Sequence, residues 1–375
     1  MKKFSRVSLL VMLIVMYTVS PASANGFKDI NANHSLKIEI DYLVKQGIIN
    51  GYPDGTFQPN QLIQKQHIAK MMAAALDLPK DQLKHPNYKD VSRSHPYYED
   101  IAALYTIGVF SDAPYFKPQS HISRSFMAKI LTEAFNLEAI PQSSFAYKDV
   151  AKNHGFYTYI QLISMNQVAK GIDEGDGNVR FEPDKMLTRA HFSAFLARAM
   201  TLQQGDYTPN TAYNYYFFGN EDNYKLAFEA NLSQGPAILT HWQWLNQRTG
   251  ESIDFAYKTE GNLWAEGIRD TDTGTMVAYP FTIGLKHDTL QNPTTAINER
   301  QEIIDTNYTF VTKNQTFTDV VVLKITAPRY LQDSNGDYYY DKMSEALLYL
   351  APNYGFIAAT VDGEPTTLFN KREAR

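Results

Sequence analysis

The chain has 375 residues, no cysteine and a formal net charge of −5 at pH 7. Without cysteine there are no disulfide bonds, no thiol catalysis and no lipid attachment at a cysteine. The mildly acidic balance argues against a nucleic-acid partner, because nucleic-acid binding needs a basic surface. The length predicts two or three domains with ample core.

The first 24 residues have the pattern of a secretory signal peptide. Lys2, Lys3 and Arg6 precede an apolar run over residues 9–15, and Ala22-Ser23-Ala24 offers the small side chains of a cleavage site. The run is short for a membrane span, which disfavours an uncleaved anchor. We expect export and removal of this leader, which takes away three cations and moves the formal charge from −5 to −8. No integral membrane segment would then remain.

One unit is repeated three times in the residues that follow. The copies align at an aspartate, a histidine five residues later, a phenylalanine, and a polar helix start seven residues after the phenylalanine. Only the histidine–phenylalanine spacing varies, at 23, 21 and 27 residues, which indicates one surface loop per copy. This period predicts a stacked repeat module with copies at residues 25–80, 81–141 and 142–202. The aligned residues are Asp29, His34, Phe57 and Gln64, then Asp90, His95, Phe116 and Ser123, then Asp149, His154, Phe181 and Thr188.

Two helices are predicted in each copy. The first has an apolar stripe at helical spacing, as at Ile40 and Leu43. Gly47 and Gly108 lie where this helix should end, a position that favours a left-handed glycine. The third copy has Gln167 there, so we expect a different cap. The second helices are predicted at His67–Leu76, Phe126–Phe135 and His191–Met200.

These motifs resemble the S-layer homology (SLH) domain, a module that ties bacterial surface proteins to cell-wall polysaccharide. The resemblance is carried by GYPDGTFQP at Gly51–Pro59, by Thr188-Arg189-Ala190, by Gly47-Ile48-Ile49 and by the three-copy layout. It implies an all-α spindle of three SLH repeats with pseudo-threefold symmetry, whose grooves bind secondary cell-wall polymer. The ligand that it implies is a pyruvylated amino sugar.

The resemblance points to one cation in each repeat as a polymer contact. We rank Arg189 first, Arg124 second and Lys65 third, because a pyruvate ketal presents a carboxylate and arginine offers a planar fork that lysine lacks. Each cation lies in the first turn of a helix, where free N–H groups favour an anion. The other predicted ligand-binding residues are Thr188, Ser123, Gly51 and Asp54, of which the first two are also good N-cap residues.

Simpler roles remain open for several of these residues. The alternative for the cations is that they only neutralise the repeat aspartates or solvate the surface. The aspartates Asp29, Asp90 and Asp149 are expected to be structural, each bonding a neighbouring helix start. The aligned histidines permit a metal interpretation, but they recur once per repeat and far apart, so we prefer capping or packing. The glutamate that the family carries at the fourth position of the helix start is replaced by His67, Phe126 and His191, which removes one bond of a capping box.

The second half, residues 211–375, follows a polar linker at residues 203–210. Here apolar and polar residues alternate in place of the helical stripe, which predicts a mainly antiparallel β domain. We expect Asn223–Leu232 to be one short helix and Asn335-Gly336 to form the tight turn of a hairpin. Residues 347–363 resemble the Tyr-x-Ala-Pro-x-x-Gly ending of some exported β-sheet domains, in which residues 319–325 would pair with them. The predicted strands are Ser252–Tyr257, Thr275–Leu285, Tyr308–Val311 and Phe317–Thr326.

We find no catalytic or cofactor motif in this half, which has no His-Glu-x-x-His, no Gly-x-Ser-x-Gly and no glycine-rich phosphate loop. We therefore assign no catalytic residue, metal or cofactor. The His241–Trp244 stretch is either a sugar-stacking platform or part of the core. Two groups are open as calcium ligands or as plain turn and loop residues, namely Asp333, Asn335 and Asp337, and Asp173, Asp176 and Asn178.

The leading prediction is a noncatalytic, secreted protein on the surface of a Gram-positive-type cell wall. The absence of a sortase signal favours noncovalent attachment, with the repeats holding pyruvylated secondary cell-wall polymer and displaying a β domain of unnamed binding function. The alternative is a wall-anchored polysaccharide hydrolase with catalysis in residues 211–375, because glycosidases need only two carboxylates. A lattice-forming S-layer subunit is a third reading, for which the chain is short. The carboxylates open to a hydrolase are Glu229, Glu251, Glu260 and Glu266.

Overall fold

A computed structural model describes residues 26–141, 143–173, 179–220, 222–232, 238–269, 274–289, 299–332 and 338–375. Within these ranges, no helix is both long and apolar enough to cross a membrane. The predicted leader and the Asn335-Gly336 turn lie outside the described residues. So do the calcium candidates other than Asp173, which lies in a short strand.

The described part of the repeat half contains six helices, two per repeat. Each second helix begins two residues earlier than predicted, because Gln64, Ser123 and Thr188 are extended N-cap residues and the helix starts at the next residue. The helices are α1 (Lys37–Lys45), α2 (Lys65–Ala75), α3 (Tyr98–Thr106), α4 (Arg124–Phe135), α5 (Tyr157–Met165) and α6 (Arg189–Met200).

The second helix of each repeat packs against the first helix of the next repeat, and the third repeat closes on the first. The pairs are α2 with α3, α4 with α5, and α6 with α1. Their apolar stripes are buried, and Ile68, Ile101 and Ile160 are fully inaccessible to solvent. Burying one such side chain stabilises the fold by about 1.5–3 kcal/mol. No repeat could bury its own apolar faces without its neighbours.

The prediction of an all-α spindle with pseudo-threefold symmetry is wrong for the repeat half. That half also contains an antiparallel pair of strands, β1 (Ile172–Asp173) and β2 (Val179–Arg180). Backbone bridges join the repeats as well, at Leu62–Thr188, Gln64–His121 and Ser123–Met186. The physical reason for the bridges is that residues beside each extended N-cap bond the neighbouring repeat, as when the Ile63 N–H donates to the Leu187 carbonyl and the Arg189 N–H to the Gln61 carbonyl.

All three first helices end in the same conformation. Gly47, Gly108 and Gln167 are left-handed, with φ of 71°, 85° and 59°. In the third repeat the N–H of Val168 bonds the carbonyl of Ile163 at 3.1 Å, as Ile48 and Val109 do in theirs. The expectation of a different third cap is therefore wrong. Gln167 adopts the glycine conformation at a steric cost of about 1 kcal/mol.

In the described residues the second half forms one sheet of twelve antiparallel strands. These are β3 (Tyr213–Gly219), β4 (Asn223–Asn231), β5 (Ile238–Asn246), β6 (Ser252–Glu260), β7 (Leu263–Ile268), β8 (Gly274–Ala278), β9 (Lys286–Thr289), β10 (Glu299–Val311), β11 (Thr316–Gln332), β12 (Tyr338–Ala351), β13 (Gly355–Val361) and β14 (Glu364–Ala374). Their order is β8-β7-β6-β5-β4-β3-β14-β13-β12-β11-β10-β9. Two meanders of six strands therefore meet where β3 pairs with β14.

The segment Asn223–Leu232 is a strand, so the predicted helix is wrong. It forms β4 through Asn231 and pairs with β3 on one side and β5 on the other. Ladder hydrogen bonds and the complete burial of Leu226 outweigh local helix propensity here. Residues 321–325 pair with residues 346–350, as the resemblance of the C-terminal segment implied. The predicted strand Thr275–Leu285 ends at Ala278.

The two halves pack against each other through the residues that follow α6. The backbones of Gln203 and Phe281 exchange two hydrogen bonds, at 2.8 and 3.1 Å. The Thr306 hydroxyl donates to the Thr201 carbonyl at 2.7 Å, and Ile283 is buried in the core of the repeats. Tyr207, in the middle of the expected linker, is buried in the core of the sheet. Residues 203–210 are thus held between the halves.

Candidate functional site

Each repeat aspartate binds the backbone of the phenylalanine-x-proline step in its own repeat. The carboxylate of Asp29 accepts bonds from the N–H groups of Phe57 (2.7 Å) and Gln58 (2.8 Å). Asp90 and Asp149 make the equivalent pairs at 2.7–2.8 Å. We call this arrangement the aspartate clamp. The sequence suggested a bond to a neighbouring helix start, whereas the clamp lies within one repeat.

The clamp holds one residue per repeat in a left-handed conformation. Gln58, Lys117 and Glu182 have φ between 56° and 59°, which costs a residue with a side chain about 1 kcal/mol or more. The two hydrogen bonds to a carboxylate offset that cost.

The repeats are joined by backbone bonds at the starts of their second helices. In α6, the N–H groups of Arg189 and Ala190 donate to the carbonyls of Gln61 (2.8 Å) and Pro59 (3.1 Å) of the first repeat. The starts of α2 and α4 make the same two bonds to the next repeat. The sequence predicted free N–H groups that would attract an anion, and the neighbouring repeat uses them instead.

The cation at each helix start lies over the phenylalanine of the next repeat. The charged groups are 4.2 Å (Lys65 over Phe116), 4.7 Å (Arg124 over Phe181) and 4.7 Å (Arg189 over Phe57) from the ring centroids, within the range of a cation–π interaction. Each cation also donates to a backbone carbonyl of that repeat. We call these three arrangements the cation stations.

The stations differ in how much of the cation is left for a ligand. Arg124 is only 7% exposed, and its Nε and Nη2 donate to the carbonyls of Phe181 (2.7 Å) and Lys170 (3.0 Å). Arg189 donates from Nη2 to Asn50, but its Nε is buried without a hydrogen-bond partner in the described structure. Burial lowers the pKa of both guanidinium groups. An unsatisfied buried donor is costly, so Arg189 is the cation that a ligand oxygen would stabilise.

Arg189 lines a cleft of about 250 Å³ at which all three repeats meet. The first repeat contributes Tyr52, Gln61 and His67, and the second contributes His121. The Tyr52 hydroxyl donates to Gln61 at 2.7 Å, and its ring lies 5.2 Å from the guanidinium of Arg189. Burial, followed by the charge of Arg189, lowers the pKa of His67, which keeps this imidazole neutral at pH 7. The Arg189 cleft therefore combines one cation with neutral donors and an aromatic ring.

Gly51 and Asp54 shape the loop that carries Tyr52. A Cβ atom on Gly51 would meet the Phe27 ring, so the packing of this loop requires glycine. Asp54 accepts bonds from the hydroxyl (2.7 Å) and the N–H (2.9 Å) of Thr56, which lower the pKa of its carboxyl group.

Ser123 and Thr188 are helix N-caps. Their hydroxyls accept bonds from the N–H groups of Phe126 (3.2 Å) and His191 (3.3 Å), three residues further on. The side chain at the position of the family glutamate in the second repeat, Phe126, packs edge-on against Phe156 of the third.

The aligned histidines lie two residues before the N-caps of the first helices. Nδ1 of His34, His95 and His154 accepts the N–H group two residues later, at 3.1–3.2 Å. In the described ranges, no group of three or more His, Asp or Glu side chains is arranged to hold a metal ion.

Sequence reasoning missed most residues of the Arg189 cleft. Tyr52 was within reach, since it lies in the recognised Gly51–Pro59 motif. His67 lies at the fourth position of the helix start but was assigned no ligand, and Gln61 and His121 belong to no shared motif. The backbone bridge between Gln64 and His121 brings the second repeat to the first.

The S-layer homology domain profile matches residues 26–69, 87–125 and 146–193. The chain is 32% identical over 212 residues to a surface-layer 125 kDa protein of Lysinibacillus sphaericus, covering 56% of this chain and 18% of that protein. It is 33% identical over 187 residues to S-layer protein EA1 of Bacillus anthracis, covering 48% and 21%. It is 25% identical over 153 residues to a cellulosome-anchoring protein of Acetivibrio thermocellus, covering 36% and 34%.

The aligned part thus spans about a fifth of the length of the first two relatives. Each repeat has the clamp, the cation station and the left-handed cap. The S-layer homology profile matches each of the three repeats. The three repeats of this chain are therefore S-layer homology domains.

Proposed function

We propose that the SLH repeats anchor this protein noncovalently to the bacterial cell wall by binding secondary cell-wall polymer. The observation that carries the proposal is the Arg189 cleft, where three repeats converge on an incompletely bonded guanidinium. The names of the relatives, two S-layer proteins and a cellulosome-anchoring protein, agree with a place at the cell surface. The protein is then secreted by a Gram-positive-type cell, with residues 1–24 as its signal peptide.

The polymer group that suits the cleft is the carboxylate of a pyruvylated amino sugar. The Arg189 side chain lines the cleft, and a carboxylate oxygen makes a charge-assisted bond of the kind that arginine favours. The Tyr52 ring offers a surface on which an apolar sugar face can lie. Arg124 already spends Nε and Nη2 on backbone carbonyls, so we assign it mainly to the fold and Arg189 to the ligand.

The test is co-sedimentation of the whole mature protein with purified cell-wall sacculi. We expect Arg189→Ala to weaken sacculus binding about tenfold or more, which corresponds to about 1.4 kcal/mol. Arg189→Lys should retain part of the affinity, because lysine keeps the charge and loses the fork. Lys65→Ala is the matched control, since it removes the cation of a station that does not line this cleft. Equal losses in the two alanine variants would contradict the choice of cleft.

Two treatments of the sacculi separate the polymer from its ketal. Acid extraction of the secondary polymer should abolish pelleting of the wild-type protein, and undiminished pelleting would refute the anchoring proposal. After mild acid that removes only the pyruvate ketal, the wild-type protein and Arg189→Ala should bind the sacculi equally weakly. A persisting difference between the two would mean that Arg189 recognises another group.

The alternative, a wall-anchored hydrolase, has one carboxylate of interest in the sheet. Glu266 lines a pocket, but a glycosidase needs two carboxylates about 5–10 Å apart across the bond. The described lining of that pocket contains no second acid. We therefore propose a noncatalytic display role for the sheet, which release of reducing sugar from sacculi by the purified protein would overturn.

A further inference from the structure

A pocket of about 240 Å³ lies on the aromatic face of the sheet. Trp244, Phe255 and Tyr257 line it from β5 and β6, and Phe356 lines it from β13. In the strand order, β6 and β13 are separated by four other strands, so their side chains meet only because the sheet bends back on itself. Ile253, which is 47% exposed, lies at the rim. The pocket is thus concave, aromatic and open to solvent.

Glu266 is the one acidic residue of the described lining, and it is poorly satisfied. It is 9% exposed, and its Oε2 has no hydrogen-bond partner among the described residues. Burial raises the pKa of its carboxyl group to about 7, although a hydrogen bond from Tyr257 opposes that rise. A buried acceptor left without a donor costs about 1–3 kcal/mol. Glu266 thus places an acceptor with spare bonding capacity beside the aromatic walls of the pocket.

The lining indicates the class of ligand. Besides Glu266, the described lining offers the Tyr257 and Thr367 hydroxyls and the Trp244 indole N–H, which are few partners for the many hydroxyls of a sugar ring. An ammonium group bonds a carboxylate strongly and is attracted to aromatic faces. No lysine or arginine occurs in the described lining, so the carboxylate has no cation from the protein.

We propose that this pocket binds a small organic ammonium ion with an apolar or aromatic body, whose ammonium group meets Glu266 and whose body lies between Trp244 and Phe356. The two tryptophans of the His241–Trp244 stretch then have different roles. Trp242 is fully buried in the core, whereas Trp244 is a wall of the pocket.

The proposal is tested on the intact protein at pH 8 with benzylamine and benzyl alcohol as probes. Both have the same ring, but only benzylamine carries a charge. Binding is followed by tryptophan fluorescence, since all three tryptophans lie in the sheet. We expect benzylamine to bind at least tenfold tighter than benzyl alcohol. Equal affinity of the two probes, or no binding of benzylamine at concentrations on the order of 10 mM, would overturn the proposal.

Two variants locate the site. Glu266→Gln keeps the shape of the side chain and should abolish the preference for the amine, while Glu260→Gln, an exposed site on the same sheet, should leave it intact. Trp244→Ala should weaken both probes. It keeps the site testable if Glu266→Gln does not fold. Tighter binding of N-acetylglucosamine than of benzylamine would assign the pocket to sugars instead. None of these outcomes depends on wall anchoring.

Discussion

The Arg124 and Arg189 stations place a guanidinium at the same distance, 4.7 Å, from a phenylalanine ring of the next repeat. Their surroundings differ. Arg124 is buried with two of its nitrogens on carbonyls, whereas Arg189 uses one nitrogen and lines an open cleft. In both stations the cation therefore serves first to join neighbouring repeats. A ligand site arises only where that internal bonding is incomplete.

The largest expected effect separates these two stations by stability. Arg124→Ala should lower the free energy of unfolding of the repeats by about 3 kcal/mol, because it removes a buried side chain and leaves the Phe181 and Lys170 carbonyls without this donor. Arg189→Ala should lower the free energy of unfolding by only about 1 kcal/mol, because its main effect is on wall binding. Urea unfolding followed by far-ultraviolet circular dichroism measures the helices, and tryptophan fluorescence follows the sheet as an internal control. Equal costs for the two variants would erase the distinction between the stations.

The aspartate clamps should behave alike where the stations do not. The three variants to compare are Asp29→Asn, Asp90→Asn and Asp149→Asn. In each, the asparagine oxygen can accept only one of the two backbone N–H groups of the clamp, and its NH₂ group faces the other. We expect each variant to lower the free energy of unfolding by about 2 kcal/mol in the same measurement. Asp41→Asn, at an exposed position of α1, is the control and should cost little. Costs that differ by more than about 1 kcal/mol among the three clamps would show that the repeats are not equivalent at this point.

The Lys65 station should respond to pH. Burial lowers the pKa of Lys65 to about 8, below its ordinary value of 10.5, so above pH 8 the unfolded chain holds more protons than the folded one. The free energy of unfolding contributed by Lys65 therefore rises with pH from about 8 towards 10.5. Because the side chain is partly exposed, we expect a gain of only about 1 kcal/mol between pH 8 and 9.5 relative to Lys65→Met. Parallel pH curves for wild type and Lys65→Met would contradict this.

The smallest effects concern the caps. Ser123→Ala and Thr188→Ala should each cost about 0.5–1 kcal/mol of stability, since one helical N–H loses its acceptor. Neither should change sacculus binding by more than about twofold if the hydroxyls only cap. A strong loss of binding in Thr188→Ala with unchanged stability would place this hydroxyl on the polymer.

Particular residues show how far sequence reasoning reached. The aspartates, histidines and phenylalanines were found because each recurs at the same position in all three repeats. The all-α prediction failed because residues 172–173 pair with residues 179–180 as strands, and because extended chain at Gln64, Ser123 and Thr188 forms bridges between repeats. The helix at Asn223–Leu232 failed because strand pairing on both sides decides that segment. The Arg189 cleft was found only in part, since its lining comes from three repeats.

By itself the sequence determined the repeat, its resemblance to a family and the kind of residue at each station, because these can be read from the spacing of the three copies. Tertiary structure decided which repeat each cation serves and which nitrogen stays unbonded. It also brought Trp244 and Glu266 from one side of the sheet together with Phe356 from the other. The physical reason is that closure of the repeats and bending of the sheet create contacts at long sequence separation, and no local pattern records them.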